Sequence, residues 1–204
     1  MEPGSIVILN GAPRSGKSSI AAEIQRSFDG VWMNIGVDVF AREVTPERYR
    51  PGIGLRPGDG ERPELEPLVP TLYFAMYESI AAHSRAGLNV VVDVGHHDRT
   101  ILAGCATRLR GLPALFVGVR CPIEVIMQRR NAGQPGRDGE YATGTVAIPI
   151  PPPVLRWQSQ VHSVGSYDLE VDTSLLDAAA CAEVIRARLR DGPAATALAH
   201  LAAI

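Results

Sequence analysis

Lysine is almost absent from this chain. Its 204 residues include 20 lysines and arginines together, and Lys17 is the one lysine among them. Cysteine is scarce as well. Cys105, Cys121 and Cys181 form no C-x-x-C pair, and an odd number leaves one thiol over. A disulfide framework or a zinc site is therefore not expected; buried thiols in a reducing, cytoplasmic setting are. A basic excess is missing too. The formal net charge is −2, which argues against the electrostatic footprint of a nucleic-acid or anionic-membrane binder. No apolar stretch reaches the ~18 residues needed to cross a bilayer. The N-terminus has no basic region followed by an apolar run, so no secretory signal is expected. Periods of ~20–50 residues, which mark solenoids, are not found.

What is present reads as an ordinary globular domain. Hydrophobic residues make up 46% and charged residues 21% of the chain, and this length fits one α/β domain with a sizeable core. Residues 5–10 (Ser-Ile-Val-Ile-Leu-Asn) form an almost continuous apolar run that ends at glycine, as a strand buried on both faces does. Ile20, Ile24 and Phe28 then recur four apart, which predicts a helix from Lys17 to Phe28. Further strands are predicted over 31–35, 88–93, 115–120 and 167–171. Further helices are predicted over 68–86, 99–110, 122–131, 154–164 and 175–190, and the tail 194–204 adds a short helix or frays. This alternation predicts a three-layer α/β sandwich, with a five-stranded parallel sheet and helices on both faces. Ligands in such a fold sit at the carboxyl ends of the strands. Two long Gly/Pro-rich stretches interrupt the alternation: residues 45–66, expected on the acceptor side of a site, and residues 129–153, expected to form a lid and an insertion.

The single lysine completes an octapeptide, Gly11-Ala12-Pro13-Arg14-Ser15-Gly16-Lys17-Ser18. Every fixed position of the phosphate-loop pattern G-x-x-x-x-G-K-[ST] is filled. The match lies after a predicted strand and before a predicted helix, as the pattern requires. Its backbone N–H groups can cradle an anion at a helix N-terminus. Lys17 is expected at the β- and γ-phosphates, Ser18 at Mg²⁺, and Ser19 within the same nucleotide contact. The position explains the composition, because a compact ammonium fits between phosphate oxygens where a planar guanidinium does not.

Other residues fall at the same edge of the sheet. Asp93 ends an apolar strand and suits a metal-side role, with a plain strand-end turn as the alternative. Asp38 follows the second strand; it can take the proton of an acceptor hydroxyl or cap a helix. Arg129, Arg130 and Arg137 bracket the second Gly/Pro stretch. There they can close over a nucleotide or complement a helix end. His96-His97-Asp98 lacks a third ligand at matching spacing, so contact with an acceptor or a simple loop is preferred to a metal site. His162 reads as core or site contact. Tyr73, Phe74, Tyr77 and Trp157 read as core or pocket wall.

Several strings then resemble the chloramphenicol phosphotransferase family over roughly residues 5–190. They are Ile8-Leu9-Asn10-Gly11 with the phosphate loop and Ser18-Ser19, Gly36-Val37-Asp38, and Val117-Gly118-Val119-Arg120-Cys121. The spacing of Arg130 to Arg137 and the run Tyr167-Asp168-Leu169-Glu170-Val171-Asp172-Thr173 complete the set. The resemblance implies a P-loop kinase fold and transfer of the γ-phosphate of ATP to a hydroxyl of a small antibiotic. It implies Asp38 as catalytic aspartate, Arg130 and Arg137 as lid arginines, and Lys17 and Ser18 as phosphate and metal contacts. The pattern departs from the family at Asp93-Val94-Gly95-His96-His97-Asp98, at 45–66 and at 141–153, all on the acceptor side.

The expectation is thus an ATP- and Mg²⁺-dependent O-phosphotransferase acting on a small hydroxylated acceptor. Neither nucleic acid nor membrane is an expected partner, and self-association is left open. A kinase of another metabolite and a nucleotide-binding regulator are the alternatives. Replacing Lys17 by Ala is expected to weaken nucleotide binding and to lower turnover together, read by titration and by steady-state rates. Unchanged affinity would show that the octapeptide holds no phosphate.

Overall fold

A strand that is apolar on both faces is stable only where both faces are covered. In the computed structural model, which describes residues 2–49, 63–133 and 141–203, β1 (Ile6–Asn10) occupies the centre of a five-stranded sheet. All five of its residues are buried. The other strands are β2 (Trp32–Asn34), β3 (Asn89–Val94), β4 (Ala114–Arg120) and β5 (Leu169–Asp172). Their order is β2-β3-β1-β4-β5, and every pairing is parallel. Connections from β1 lead first to β2 and β3 on one side, then to β4 and β5 on the other. The phosphate loop leaves the carboxyl end of β1, where those directions part.

The helices are α1 (Lys17–Ser27), α2 (Val37–Val39), α3 (Val69–Arg85), α4 (Arg99–Arg108), α5 (Ile123–Asn131), α6 (Pro152–Gln160), α7 (Ala178–Asp191) and α8 (Ala197–Leu201). Strand alternation sorts the core into two layers. Ile6 and Ile8 pack with Tyr77, Ile80, Leu102 and Leu198 of α3, α4 and α8. Val7 and Leu9 pack with Ile20, Ile24 and Ile185 of α1 and α7. Burying each such side chain contributes about 1.5–3 kcal/mol, so the sheet is clamped from both sides. Val91 belongs to the α1 layer, and Asp93, two residues further along β3, therefore faces the same side. A third cluster, with Ile126, Met127, Val154, Trp157 and Val161, joins α5 to α6 beyond the strand ends.

All five strands and the six longer helices fall where the sequence places them, with shifted ends. The short α2, followed by the wide turn Phe40–Val44, has no periodicity long enough to announce it. Helix α6 starts earlier than expected, because Pro152 and Pro153 suit a first helical turn. Helix α7 starts later: residues 173–176 turn back on Asp172, and Asp177 caps the helix by accepting from the Ala180 N–H at 2.8 Å. Asp98 of the His-His-Asp string caps α4, accepting from the Thr100 and Ile101 N–H groups. No helix among the described residues is long and apolar enough to cross a membrane. Most of the 45–66 stretch, and Arg137, lie outside the described residues.

Gly118 sits opposite Asn10 of β1 in the β4 register. A Cβ there would meet the Tyr167 ring at 2.6 Å. Gly118→Ala is expected to destabilise the fold by about 1–3 kcal/mol through overpacking. The denaturant midpoint of unfolding measures it.

Candidate active site

The loop between β1 and α1 contains two residues with left-handed backbone, Arg14 (φ 72°) and Gly16 (φ 96°). Gly16 takes this geometry without penalty, whereas at Arg14 it costs roughly 1–2 kcal/mol. Such local reversals draw successive N–H groups towards one concavity. Ala12 and Ser15 are buried, while Gly11, Pro13 and Arg14 line the adjoining cleft. The Lys17 ammonium donates to the Ala12 carbonyl at 2.9 Å and stands 3.6 Å from Asp93 Oδ1. Ser18 Oγ donates to Asp93 Oδ2 at 2.5 Å. Burial raises the Asp93 carboxyl above the usual carboxylate range; Lys17 and Ser18 oppose that rise, and the charge of Asp38 adds to it. Lys17 and Ser18, expected together from the octapeptide, and Asp93, expected from its place at a strand end, thus form one contact group.

Two clefts flank this group. The smaller is lined by Val37, Asp38, Tyr73, Asp93, Gly95 and Trp157. The larger is lined by Gly16, Ser19, Arg129, Thr173, Leu176 and Asp177. Arg14, Lys17, Ser18 and Tyr141 line both. Asp38 lies in the first turn of α2, one residue beyond Val37; the N-cap is Gly36. The capping alternative for Asp38 is therefore not what the structure shows.

The arginines separate. Arg130 is buried, donates to the Ala142 carbonyl at 3.1 Å and lies 5.5 Å from the Tyr141 ring centre. Arg14 covers the same ring at 5.2 Å. Tyr141 is thus flanked by the phosphate loop and α5 at the border of both clefts. Arg129, bracketed with Arg130 in the sequence, instead contacts the loop's backbone and Thr173.

Behind the site, Asn10 ends β1 fully buried. Its Oδ1 accepts from the His96 N–H at 2.6 Å, and its Nδ2 donates to the Val161 carbonyl and to Tyr167 Oη, each at 2.9 Å. His162 Nδ1 meets Tyr167 Oη at 2.8 Å, and burial with the nearby Arg120 charge brings His162 down to about 4. His96 lies against Tyr73 and pairs with Tyr77 Oη at 2.9 Å. His97 packs edge-on against Trp157 at 4.6 Å. The two histidines are therefore wall and support, and no metal-binding group of three or more His, Cys, Asp or Glu occurs among the described residues. Tyr141, Thr173 and Asn10 were not expected as site residues. Asn10 carried a signal as the polar end of an otherwise apolar strand, Thr173 only as the last residue of a family-like run, and Tyr141 none.

The sequence model of the chloramphenicol phosphotransferase-like proteins matches residues 4–190. The chain belongs to that family. A Mycobacterium tuberculosis H37Rv protein named "Putative O-phosphotransferase Rv2636" is similar at 26% identity over 186 residues, covering 85% of this chain and 77% of that protein. Among solved structures, the Deinococcus radiodurans tunicamycin resistance protein matches with TM-score 0.61 and 19% identity, over 91% of this chain and 95% of that one. The Mycobacterium tuberculosis APS kinase CysC, solved with AMPPNP and APS, matches with TM-score 0.63 and 15% identity, over 94% of this chain and 100% of that one. These two likenesses show a shared P-loop kinase fold. The family member described here is accordingly a P-loop phosphotransferase.

Burial, with a smaller contribution from His97, brings His96 down to about 3. Its ordinary value lies near 6.5, so the unfolded chain binds a proton there that the folded chain refuses. Stability is complete above that value and is lost as pH falls from it towards 3. Between pH 7 and pH 5, His96 alone is expected to remove about 2 kcal/mol. Denaturant unfolding across pH measures this, and His96→Gln should flatten the slope.

Proposed function

We propose that the chain transfers the γ-phosphoryl group of ATP to a hydroxyl of a small molecule, with antibiotics of the chloramphenicol type as the first acceptor class. The carrying observation is the position of Lys17 and Ser18 on the border of two clefts, one of which holds both Asp38 and Asp93. A transferase needs this layout, with a nucleotide on one side, an acceptor on the other, and the transferred group between them.

The residues fit a Mg²⁺ ion. Ser18 and Asp93 offer hydroxyl and carboxylate oxygens already in contact, a hard donor pair for a hard cation. Mg²⁺ commonly takes its remaining ligands from phosphate and water. When bound, the ion neutralises charge on the β- and γ-phosphates. Lys17 turns its ammonium from the Ala12 carbonyl to the same phosphates. Asp38 orients the acceptor hydroxyl and takes its proton. The hydroxyl oxygen then bonds to the γ-phosphorus as the bond to the β,γ-bridging oxygen breaks, releasing ADP. Arg130 and Arg137 offset charge on the transferred group, as parts of a lid spanning 129–153. Residues 45–66 complete the acceptor side. Val37, Tyr73 and Trp157 supply an apolar wall for the acceptor's carbon frame. The setting is cytoplasmic.

The test is ADP release from Mg-ATP with a panel of hydroxylated antibiotics, chloramphenicol first. Asp38→Asn is expected to cut stimulated turnover by roughly two to four orders of magnitude with ATP binding intact. Weakened ATP binding with normal turnover would remove Asp38 from the base role. ATP binding that no hydroxyl compound stimulates would favour a regulatory protein.

A further inference from the structure

A loop that binds phosphate through its amides must aim its N–H groups inward. A trans peptide is planar, with its N–H opposite its C=O. Fixing a carbonyl outside the cradle therefore fixes the direction of the next residue's N–H.

Two side chains outside the loop hold its carbonyls. Arg129 Nη1 donates to the Arg14 carbonyl at 3.3 Å. Thr173 Oγ1 donates to the Ser15 carbonyl at 2.7 Å. The two are linked: Arg129 donates to Thr173 Oγ1 at 3.1 Å and to the Thr173 carbonyl at 2.8 Å. That linkage sets polarity. A hydroxyl has one proton; with Arg129 donating to it, Thr173 Oγ1 directs its own proton to Ser15, since the other acceptor in reach, the Arg120 carbonyl, lies at 3.5 Å. Arg14 completes the bracing, its guanidinium reaching the Arg129 and Gly133 carbonyls. The 14–15 peptide plane then closes the turn from the Ser15 N–H to the Ala12 carbonyl at 3.1 Å. The 15–16 plane presents the Gly16 N–H, first of the amides that lead into α1.

We propose that Arg129 and Thr173 are positioning residues for the phosphate loop: Thr173 holds the Ser15 carbonyl outward and so aims the Gly16 N–H at the nucleotide's phosphates, while Arg129 orients the Thr173 hydroxyl and fixes the Arg14 carbonyl, whose peptide plane closes the turn onto Ala12. This rests on the nucleotide reading above. It gives Arg129 a role distinct from that of its neighbour Arg130.

The experiment compares Thr173→Val, Thr173→Ser and Arg129→Lys in the full chain. Binding of a non-hydrolysable Mg-ATP analogue is measured by calorimetry, adenosine binding by ligand-detected NMR, and folding by thermal midpoint. Thr173→Val keeps the shape and removes the hydroxyl. It is expected to weaken triphosphate binding about tenfold, with adenosine binding unchanged. Thr173→Ser should bind the triphosphate as the parent does, and Arg129→Lys should follow the valine variant. Normal triphosphate affinity in folded Thr173→Val and Arg129→Lys would overturn the proposal. So would equal losses for adenosine and triphosphate, which would mark direct contact with the nucleoside, or a serine variant as weak as the valine one. If Thr173→Val does not fold, Arg129→Lys and the serine rescue decide between the same outcomes. Failure of the parent protein to bind the triphosphate would refute the nucleotide reading itself.

Discussion

An anion held by backbone amides leaves the carbonyls of the same loop to be satisfied elsewhere, and most of the architecture around residues 11–18 follows from that constraint. Buried carbonyls need partners. Here they come from the loop's own lysine, from the end of α5 and from the turn after β5. The loop is therefore sewn to elements that arrive more than a hundred residues later in the chain. The site therefore depends on the far half of the sheet: β4, paired with β1, leads into α5 and Arg129, and β5, paired with β4, leads into the turn that holds Thr173.

A second dependence runs through charge. Lys17, Ser18 and Asp93 contact one another, so a buried ammonium and a half-buried carboxylate are held side by side. Asp38 faces the same cleft and disfavours the Asp93 charge. A cation between them would relieve that repulsion as well as bind phosphate. Asn10 performs the matching task behind the loop. It ties the exit of β3, the end of α6 and the approach to β5 to one amide, which links the wall of the smaller cleft to the strand that carries the loop.

How much of this was legible in the chain differs residue by residue. The central strand, the loop and α1 were legible because three signals of different kind agree there: an apolar run, a glycine, and a four-residue apolar period. Asp93 was legible as the polar end of an apolar strand. Helix α2 was not, since three residues show no period. Leu175 looked like the start of α7, but it is exposed in a turn, and the capping Asp177 marks the true start. Arg129 and Arg130 were inseparable by pattern. Adjacent helical positions point about 100° apart, and that rotation sends one to the phosphate loop and the other to Tyr141. Tyr141 itself stands in a Gly/Pro-rich stretch without periodicity, where position is set by tertiary contact alone.

The division of the clefts has an evolutionary consequence. Val37, Tyr73 and Trp157 touch only the smaller cleft and come from three separate segments, α2, α3 and α6. Thr173, Leu176 and Asp177 touch only the larger one. Substitutions can accumulate in the first set without passing through the second. On the function proposed above, a lineage built on this scaffold would be free to exchange one small molecule for another while its energy source stayed the same, and drift in acceptor preference would be the variation such a layout tolerates most readily.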